Sequence, residues 1–357
     1  MLSCIQHHDT TNEIGVFDQQ EKIELKYAEG FDLTYQDTYI QFVVHSIGNN
    51  EFFADTFALL TNNSGSDIAV GKILQPNITS IATMSSTHLA YLEVLQSLDK
   101  IKALCGTEYV INTRVKEVLT NNEVQELCLG ENVVLENLLK VSPDLFFTYP
   151  FGSDGNERYE ANGITTMHIA EYLEKSQLAR LEWIKLFGLI LEVTEQANDY
   201  FNQVEQSYIS LKQNETDTNM RFILNLPFQD QWYMPSSNSL TVQLIEDAGL
   251  AYFYSEKSTT ENVLHSKEEV WSDAAIADYW VIIASRPKGF TLDDLIKEEP
   301  VYNKFKSVKN HQVIFCNTAQ VDYFGQGVVE PHIMLQDLLF AVHKIDQHQP
   351  KYFFLLN

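Results

Sequence analysis

Two stretches of helical periodicity in the middle of the chain constrain the fold most. Residues 177–213 keep apolar side chains at three- and four-residue spacing, with Ser176 as a candidate N-cap and a second start near Thr194. About 20 helical residues extend roughly 30 Å, which is the width of a small domain. The chain on either side does not continue this pattern. We therefore expect a rod-like helix over 194–213 between two folding units.

On both sides of that helix, short apolar runs alternate with helical segments. The runs lie at 78–83, 101–105, 124–129, 145–149 and 163–167, and then at 221–226, 250–254, 279–284 and 312–316. Such alternation predicts parallel sheets built from strand–helix–strand units. Residues 22–61 differ, because apolar and polar side chains alternate there between turn signals at Gly30 and Gly48-Asn49-Asn50. That pattern predicts about three antiparallel strands.

The predicted fold is α/β, with two Rossmann-like lobes whose central sheets are mostly parallel, a single long α-helix bridging them, and an N-terminal antiparallel β meander. The predicted division is a flexible tether over 1–20, an N-terminal lobe over 21–193 that includes the meander at 22–61, the bridging helix over 194–213, and a C-terminal lobe over 214–357. Two lobes on a stiff connector leave a cleft between them, and ligand sites favour such interfaces.

Acidic residues outnumber basic residues two to one in this chain of 357 residues. There are 49 Asp plus Glu against 24 Lys plus Arg, which gives a net charge of −25. Such a surface repels phosphate backbones and anionic lipid, so we expect no nucleic-acid partner. No apolar run approaches the roughly 20 residues that a membrane span needs.

The start of the sequence, Met1-Leu2-Ser3-Cys4, resembles the end of a bacterial lipoprotein signal. In that interpretation Cys4 carries the lipid, and the polar residues that follow form the tether. An accidental cysteine near a native start is the alternative. We therefore expect membrane contact, if any, only through a lipid anchor.

The other cysteines, Cys105, Cys128 and Cys316, match no paired-cysteine zinc spacing. Cys105 and Cys128 end two strand-like runs of the same half, so a disulfide between them is conceivable in an oxidising compartment. Buried free thiols are the interpretation that we favour at this point.

Polar residues stand at a strand-to-helix junction within TSIATMSSTHLAYLEVL, residues 79–95. Ser85, Ser86, Thr87 and His88 follow the apolar run and directly precede a helical pattern. In open α/β sheets ligands bind at this edge, where helix starts offer free backbone N–H groups. A plain N-cap explains serine and threonine there as well, and it is the interpretation that the local pattern favours.

Five segments, SSTHLAYLEVL, VLENLLKVSPDLFFTY, EYLEKSQLARLEWIK, QWYMPSSNSL and GVVEPHIMLQDLL, carry a resemblance that extends over about residues 25–343. In order and spacing they resemble the substrate-binding proteins of ABC importers that serve iron chelates (siderophores and haem) and cobalamin. The resemblance implies two α/β lobes bridged by one long helix, a ligand between them, and little closure. It also implies a monomeric periplasmic receptor that has no cofactor and no enzymatic activity and that delivers its ligand to a permease dimer.

The resemblance assigns docking on the permease to one surface glutamate in each lobe. Leu135-Glu136 ahead of VSPDL matches the first docking helix, and Ser266-Lys267-Glu268 matches the second, where Glu269 is an alternative. A carboxylate in a first helical turn meets the helix dipole favourably and can pair bidentately with a partner arginine. Without the resemblance, both would be ordinary charges at helix starts.

The resemblance also places ligand contacts at strand ends that face the cleft. The expected ligand-binding residues are Ser85, Thr87, His88, Tyr109, Tyr149, Phe151, Trp232, Tyr233 and Tyr323. Aromatic faces suit large flat or catechol-bearing ligands, and tyrosine hydroxyls can hydrogen-bond chelate oxygens. Core packing is the alternative for each ring.

The chain departs from the family at Glu330-Pro331, because an arginine often precedes that proline. Arginines such as Arg114, Arg158 and Arg286 are scattered along the chain. Both features disfavour a strongly anionic chelate. Neutral and cationic ligands, including cobalamin, are compatible with the sequence.

Three other functions compete with this one. A direct zinc or manganese receptor needs several histidines and a carboxylate, but the ten histidines are dispersed, with His7-His8, His343 and His348 near the ends. An enzyme could use Ser85 and His88 with a distant aspartate, yet the chain has no GxGxxG, P-loop or GxSxG motif. A surface adhesin of the same fold would not need the docking glutamates.

Overall fold

The computed structural model of the protein describes residues 22–45, 54–61, 71–130, 132–149, 156–212, 217–229, 231–254, 262–343 and 348–357. The strands are β1 (Phe31–Tyr35), β2 (Tyr39–His45), β3 (Ala54–Leu60), β4 (Lys72–Leu74), β5 (Ile81–Thr83), β6 (Ile101–Leu104), β7 (Gln125–Glu126), β8 (Cys128–Leu129), β9 (Asn132–Val133), β10 (Leu145–Thr148), β11 (Thr166–His168), β12 (Asp217–Leu224), β13 (Gln231–Met234), β14 (Leu250–Tyr252), β15 (Val263–Ser266), β16 (Tyr279–Ala284), β17 (Val313–Asn317) and β18 (Phe354–Leu355).

The helices are α1 (His88–Val94), α2 (Thr113–Asn121), α3 (Leu135–Val141), α4 (Glu157–Glu160), α5 (Gln177–Ile190), α6 (Thr194–Leu211), α7 (Leu240–Asp247), α8 (Lys267–Ala274), α9 (Leu292–Glu298), α10 (Lys306–Lys309), α11 (Gln326–Val329) and α12 (Pro331–His343). Short 3-10 helices lie at Leu98–Lys100, Thr107–Tyr109, Glu171–Leu173 and Pro300–Lys304. We call the elements up to β11 the N-terminal half and those from β12 onward the C-terminal half.

Each half contains one five-stranded sheet, as the alternating pattern predicts. In the N-terminal half the order is β11-β10-β5-β6-β7, and all neighbours are parallel. In the C-terminal half the order is β14-β12-β16-β17-β18, and only β18 is antiparallel. The central strands are continuous apolar runs such as LFFT in β10, whose four side chains are buried, because helices cover both faces of a parallel sheet.

The N-terminal meander is confirmed, with β1, β2 and β3 antiparallel in sequence order. Buried and half-buried residues alternate along β2, as a one-sided sheet requires. The short strand β4 adds to β3 in parallel, which the sequence pattern does not indicate. Lys72 of β4 connects this sheet to α4 and β11 of the same half. Its Nζ lies 2.6 Å from Glu160 Oε1 and donates to the Thr166 carbonyl.

Two consecutive helices contact both halves. Helix α6 begins at the predicted Thr194, and it hydrogen-bonds to the N-terminal half through Gln196, which donates to the Val94 carbonyl. At its other end Tyr208 donates to Asp247 of the C-terminal half. Helix α5 also packs on α1 from one half and on α7, α11 and α12 from the other. The two helices approach closely at Gly188, where a Cβ would lie 2.4 Å from the Ala197 Cβ.

Three carboxylates on or just before these helices hold the segment 22–30. Glu182 is fully buried and accepts the backbone N–H groups of residues 26–28, and Lys185 neutralises it at 2.8 Å. Glu174 accepts from residues 29 and 30 and from the Trp183 indole. Glu205 accepts from Lys26 and Tyr27. A buried charge needs such partners, so this segment is an integral part of the core.

Candidate functional site

Loops at the carboxyl ends of strands from both halves meet at one gap. Thr87, after β5, donates its hydroxyl hydrogen to the carbonyl of Phe324, which lies in the loop after β17, at 2.9 Å. Beside this contact is a small hollow of about 10 Å³, which is the space of about one water molecule. It is lined by Ser86, Leu89, Ala90, Glu93, Tyr109, Val110, Val115 and Asp322. The structure therefore brings the predicted loop around Ser85 against the C-terminal half.

The hydroxyl of Thr87 does not cap helix α1. Thr87 occupies the N-cap position, but its side chain accepts no backbone N–H of the first turn. Ser85 Oγ accepts the N–H of Thr87 at 3.2 Å, and Thr83 Oγ1 accepts the N–H of Ser85 at 3.2 Å. The capping interpretation is thus wrong for Thr87, because its hydroxyl is used across the gap instead.

His88 lies in the core rather than at the gap. Its Nδ1 is 2.7 Å from Thr83 Oγ1, and its ring packs against Phe147 and Phe187. Burial lowers the pKa of His88 to about 4, and Glu171, 3.9 Å from Nε2, offsets this only in part. The imidazole is therefore neutral at pH 7 and does not reach the surface where a ligand would lie.

Tyr109 projects from the loop after β6, and 72% of it is exposed. The structure joins the cysteine that starts this loop, Cys105, to Cys128 in a disulfide with Cα atoms 4.9 Å apart. The free-thiol interpretation is wrong for this pair. The remaining cysteine of this group, Cys316, is buried and free, and burial raises the pKa of its thiol.

Three further tyrosines follow strands β10, β11 and β17. Tyr149 is half-buried just after β10, and Tyr172, whose pKa is raised by burial and by Glu171, lies near it. Burial raises the pKa of Tyr323 to about 12, and Arg180 opposes this shift. Phe151 and Cys4 lie outside the residues that the structure describes.

Arg180 is a cation near Tyr323 that the sequence analysis missed. Its Nη2 donates to Glu171 Oε1 at 3.1 Å, and Glu171 itself is buried at the start of the 3-10 helix that follows β11. The helical pattern of α5 places Arg180 next to core residues and does not indicate a partner for it. No sequence signal connects it with Glu171, nine residues earlier.

Trp232 and Tyr233 point in opposite directions because they are consecutive residues of strand β13. The indole of Trp232 is fully buried, lies against Trp280 and donates to the Leu224 carbonyl at 2.8 Å. The expectation that Trp232 faces the cleft does not agree with this position. Tyr233 is 40% exposed on the outer face.

Two phenylalanines that the sequence analysis missed are more exposed than most predicted rings. Phe228, in the loop before β13, is 67% exposed, and Phe324 is 61% exposed. A sequence signal exists for both, since each apolar residue stands among polar or turn-forming neighbours in LPFQDQ and DYFGQG.

The wall of the hollow is acidic. Burial, Asp322 and Glu330 raise the pKa of Glu93, whereas Arg114 and Lys351 lower it. Glu330 accepts from Tyr352 and Gln326 and forms an ion pair with Lys351. The glutamate that stands where the family often has arginine is therefore neutralised by a lysine from the C-terminal tail.

Glu136 and Glu268 are both exposed in first helical turns, of α3 and α8. Helix α8 has a capping box, in which Ser266 accepts from the N–H of Glu269 and the carboxylate of Glu269 accepts from the N–H of Ser266. Glu269 is thus occupied at the helix start. Glu268, beside it, is exposed and takes no part in the capping box.

The described residues contain one group with metal-ligand spacing, namely Cys105, Glu126 and Cys128. Two of these three are bonded to each other, so this part of the chain supplies no ready set for a direct metal receptor. The same residues include no helix with the length and apolar character of a transmembrane span.

Two curated relatives are uncharacterised lipoproteins of Methanocaldococcus jannaschii. The first is 26% identical over 284 residues, which cover 76% of this chain and 67% of the relative. The second is 22% identical over 370 residues, which cover 95% and 90%.

Solved structures share the fold at low identity. A periplasmic binding protein from Veillonella parvula matches with a TM-score of 0.65 and 15% identity over 87% of this chain and 100% of that chain. A periplasmic haem-binding protein from Pseudomonas aeruginosa gives 0.60 and 12%, over 79% and 99%. The periplasmic vitamin B12-binding protein of Vibrio cholerae gives 0.54 and 15%, over 75% and 99%.

A family model described as periplasmic binding protein matches residues 84–319. This range contains the parallel strands of both halves from β6 to β17, the helices α5 and α6, and the loop of Thr87, and it ends five residues before Phe324. The chain belongs to the periplasmic binding protein family.

Proposed function

We propose that the protein is an extracytoplasmic receptor that binds an iron chelate or a corrinoid between its halves and delivers it to an ABC importer. In this proposal residues 21–193 and 214–357 act as two lobes, and 194–213 connects them. The observation that carries it is the gap where Thr87 meets Phe324, which exposed aromatic rings flank. Large flat ligands gain most from such rings.

Ligand contacts are proposed first at Thr87 and Phe324, which meet across the gap, and at Tyr109, which lines the hollow. The sequence-based proposal for Ser85, Tyr149, Tyr233 and Tyr323 is kept, and Phe324 is new to it. His88 and Trp232 support these residues from the core. Because the hollow is walled by Glu93 and Asp322, we favour a neutral or cationic ligand over a tris-catecholate iron chelate.

Calorimetric titration tests the ligand class. Cyanocobalamin, a cationic ferric trihydroxamate, haemin and an anionic ferric tris-catecholate are the four probes. We expect one of the first two to bind, and Tyr109→Ala to weaken that probe about tenfold through the lost ring contact. Glu117→Ala, on the exposed face of α2, is the matched control and leaves affinity unchanged. Failure of all four probes to bind would contradict the proposal.

Docking on the permease is proposed through Glu136 and Glu268, each with a bidentate arginine partner. Charge reversal by Glu136→Arg with Glu268→Arg would abolish uptake by cells while the affinity for the ligand stays the same. Glu117→Arg with Asp293→Arg changes the net charge equally at exposed positions elsewhere and leaves uptake intact. Normal uptake with the Glu136→Arg, Glu268→Arg variant would refute the docking assignment.

Lipid attachment is proposed at Cys4, in line with the lipoprotein names of the relatives. In cells that express the full precursor, Cys4→Ala would move the protein from the membrane to the soluble fraction and remove labelling by a fatty-acid analogue. Labelling that persists in this variant would exclude Cys4. We expect the released protein to be a monomer by light scattering.

A further inference from the structure

We infer that residues 105–109 form a preformed platform that presents the Tyr109 ring to the ligand, with Glu126 and the Cys105–Cys128 disulfide as positioning residues. The inference rests on the proposed function, because it concerns how a ligand in the gap is held. The platform lies at the carboxyl end of β6, next to Ser86 and Asp322 across the hollow.

Glu126 accepts hydrogen bonds from the backbone of this platform. Its Oε1 accepts the N–H of Gly106 at 2.9 Å and that of Cys128 at 3.0 Å, and its Oε2 accepts both the N–H and the hydroxyl of Thr107 at 2.8 Å. Burial alone would raise the pKa of this carboxyl, but these donors lower it, so the side chain is ionised at pH 7. One carboxylate thus binds both sides of the disulfide.

Gly106 fixes the position of the ring. Its φ of +77° lies in the left-handed region, which favours glycine. A Cβ at this position would lie 2.6 Å from Cδ2 of Tyr109, so the ring packs directly on the glycine backbone. The Tyr109 ring is therefore held from one side by the main chain, while 72% of the residue stays open to solvent.

This arrangement has an energetic consequence for binding. An exposed side chain loses rotational freedom when a ligand orders it, and that loss reduces affinity. On the platform the loop is already ordered by a covalent link, three hydrogen bonds to one carboxylate and a glycine contact. The positioning residues therefore increase affinity although none of them needs to touch the ligand.

A double-mutant cycle separates positioning from general stability. The probe is whichever of the four compounds the wild-type protein binds, measured by calorimetry. We expect Cys105→Ser with Cys128→Ser to weaken binding about fivefold, and Glu126→Gln to do so about threefold, from lost preorganisation. In a Tyr109→Ala background both effects disappear, because the ring that they position is absent. Effects of the same size in that background would overturn the inference.

Hydrogen exchange of the ligand-free protein provides the second measurement. The amides of Gly106 and Thr107 exchange slowly in the wild type and at least tenfold faster in Glu126→Gln, if the carboxylate orders the loop. Unchanged exchange would overturn the inference even if affinity falls. If a probe binds the wild type and Tyr109→Ala with the same affinity, the inference is wrong and the proposed function stands. If none of the four probes binds the wild type, both are wrong.

Discussion

The two halves of the molecule place their aromatic residues differently. In the N-terminal half Tyr109 stands open to solvent on a loop that a disulfide and a carboxylate hold. In the C-terminal half Trp232 lies under the β13–β15 pair, and its indole N–H is satisfied by the Leu224 carbonyl. The N-terminal half therefore exposes the ring of Tyr109 to solvent, whereas the C-terminal half buries the ring of Trp232 in its core.

Replacement of the two neighbouring rings of β13 gives the largest expected effect on this comparison. Trp232→Ala would lower the free energy of unfolding by about 3–5 kcal/mol, because it opens a cavity against Trp280 and removes the hydrogen bond from the indole to the Leu224 carbonyl. Tyr233→Ala, on the exposed face, would cost less than about 1 kcal/mol. Urea denaturation measures both. Equal losses would mean that the two rings are not on opposite faces.

The pH dependence of stability tests the interior of the N-terminal half. The unfolded chain binds a proton at His88 near its ordinary pKa of 6.5, whereas the folded chain does so only near 4. The unfolded state therefore holds more protons in this interval, and stability falls as the pH is lowered from about 6.5 to 4, by about 3 kcal/mol from this residue.

Denaturation of His88→Asn at pH 7 and pH 4.5 measures the effect. The variant is less stable at pH 7 but loses less on acidification than the wild type. His343→Asn, at an exposed position in the C-terminal half, is the control and keeps the wild-type slope. An unchanged slope for His88→Asn would show that His88 is not held neutral in the core.

The two candidate docking helices give the smallest expected effect. Glu269→Ala removes half of the capping box of α8 and would lower Tm by about one or two degrees, whereas Glu268→Ala would leave Tm unchanged. Helix α3 has no such box, and Glu136→Ala in the other half would leave Tm unchanged as well. Differential scanning calorimetry compares the three. A larger decrease in Tm for Glu268→Ala than for Glu269→Ala would mean that Glu268, and not Glu269, caps α8.

The periodic features of the sequence predicted the architecture well. Alternating apolar runs correspond to parallel strands of both sheets, the meander at 22–61 is present, and the helix expected over 194–213 spans Thr194–Leu211. These features rest on local periodicity, which burial on one or two faces imposes directly. The short strand β4 has only three residues and carries too little periodicity to be recognised.

The candidate site was less predictable, because its geometry depends on contacts between distant segments. Strand β13 forms only by pairing with β15, some thirty residues later, and this pairing turns Trp232 inward. The disulfide needs two strand ends to converge across 23 residues, which spacing alone cannot show. The outward position of Phe324 likewise follows from the loop that meets Thr87.

The attachment of segment 22–30 has a mechanical consequence. A tether that leaves residue 22 toward a membrane would transmit any pull to Glu182, Glu174 and Glu205, and so to the paired helices α5 and α6. The load would enter at these two helices, and no strand of the two five-stranded sheets would have to bear it first. If Cys4 carries a lipid as proposed, the protein can therefore follow the motion of a membrane while the geometry of its gap stays unchanged.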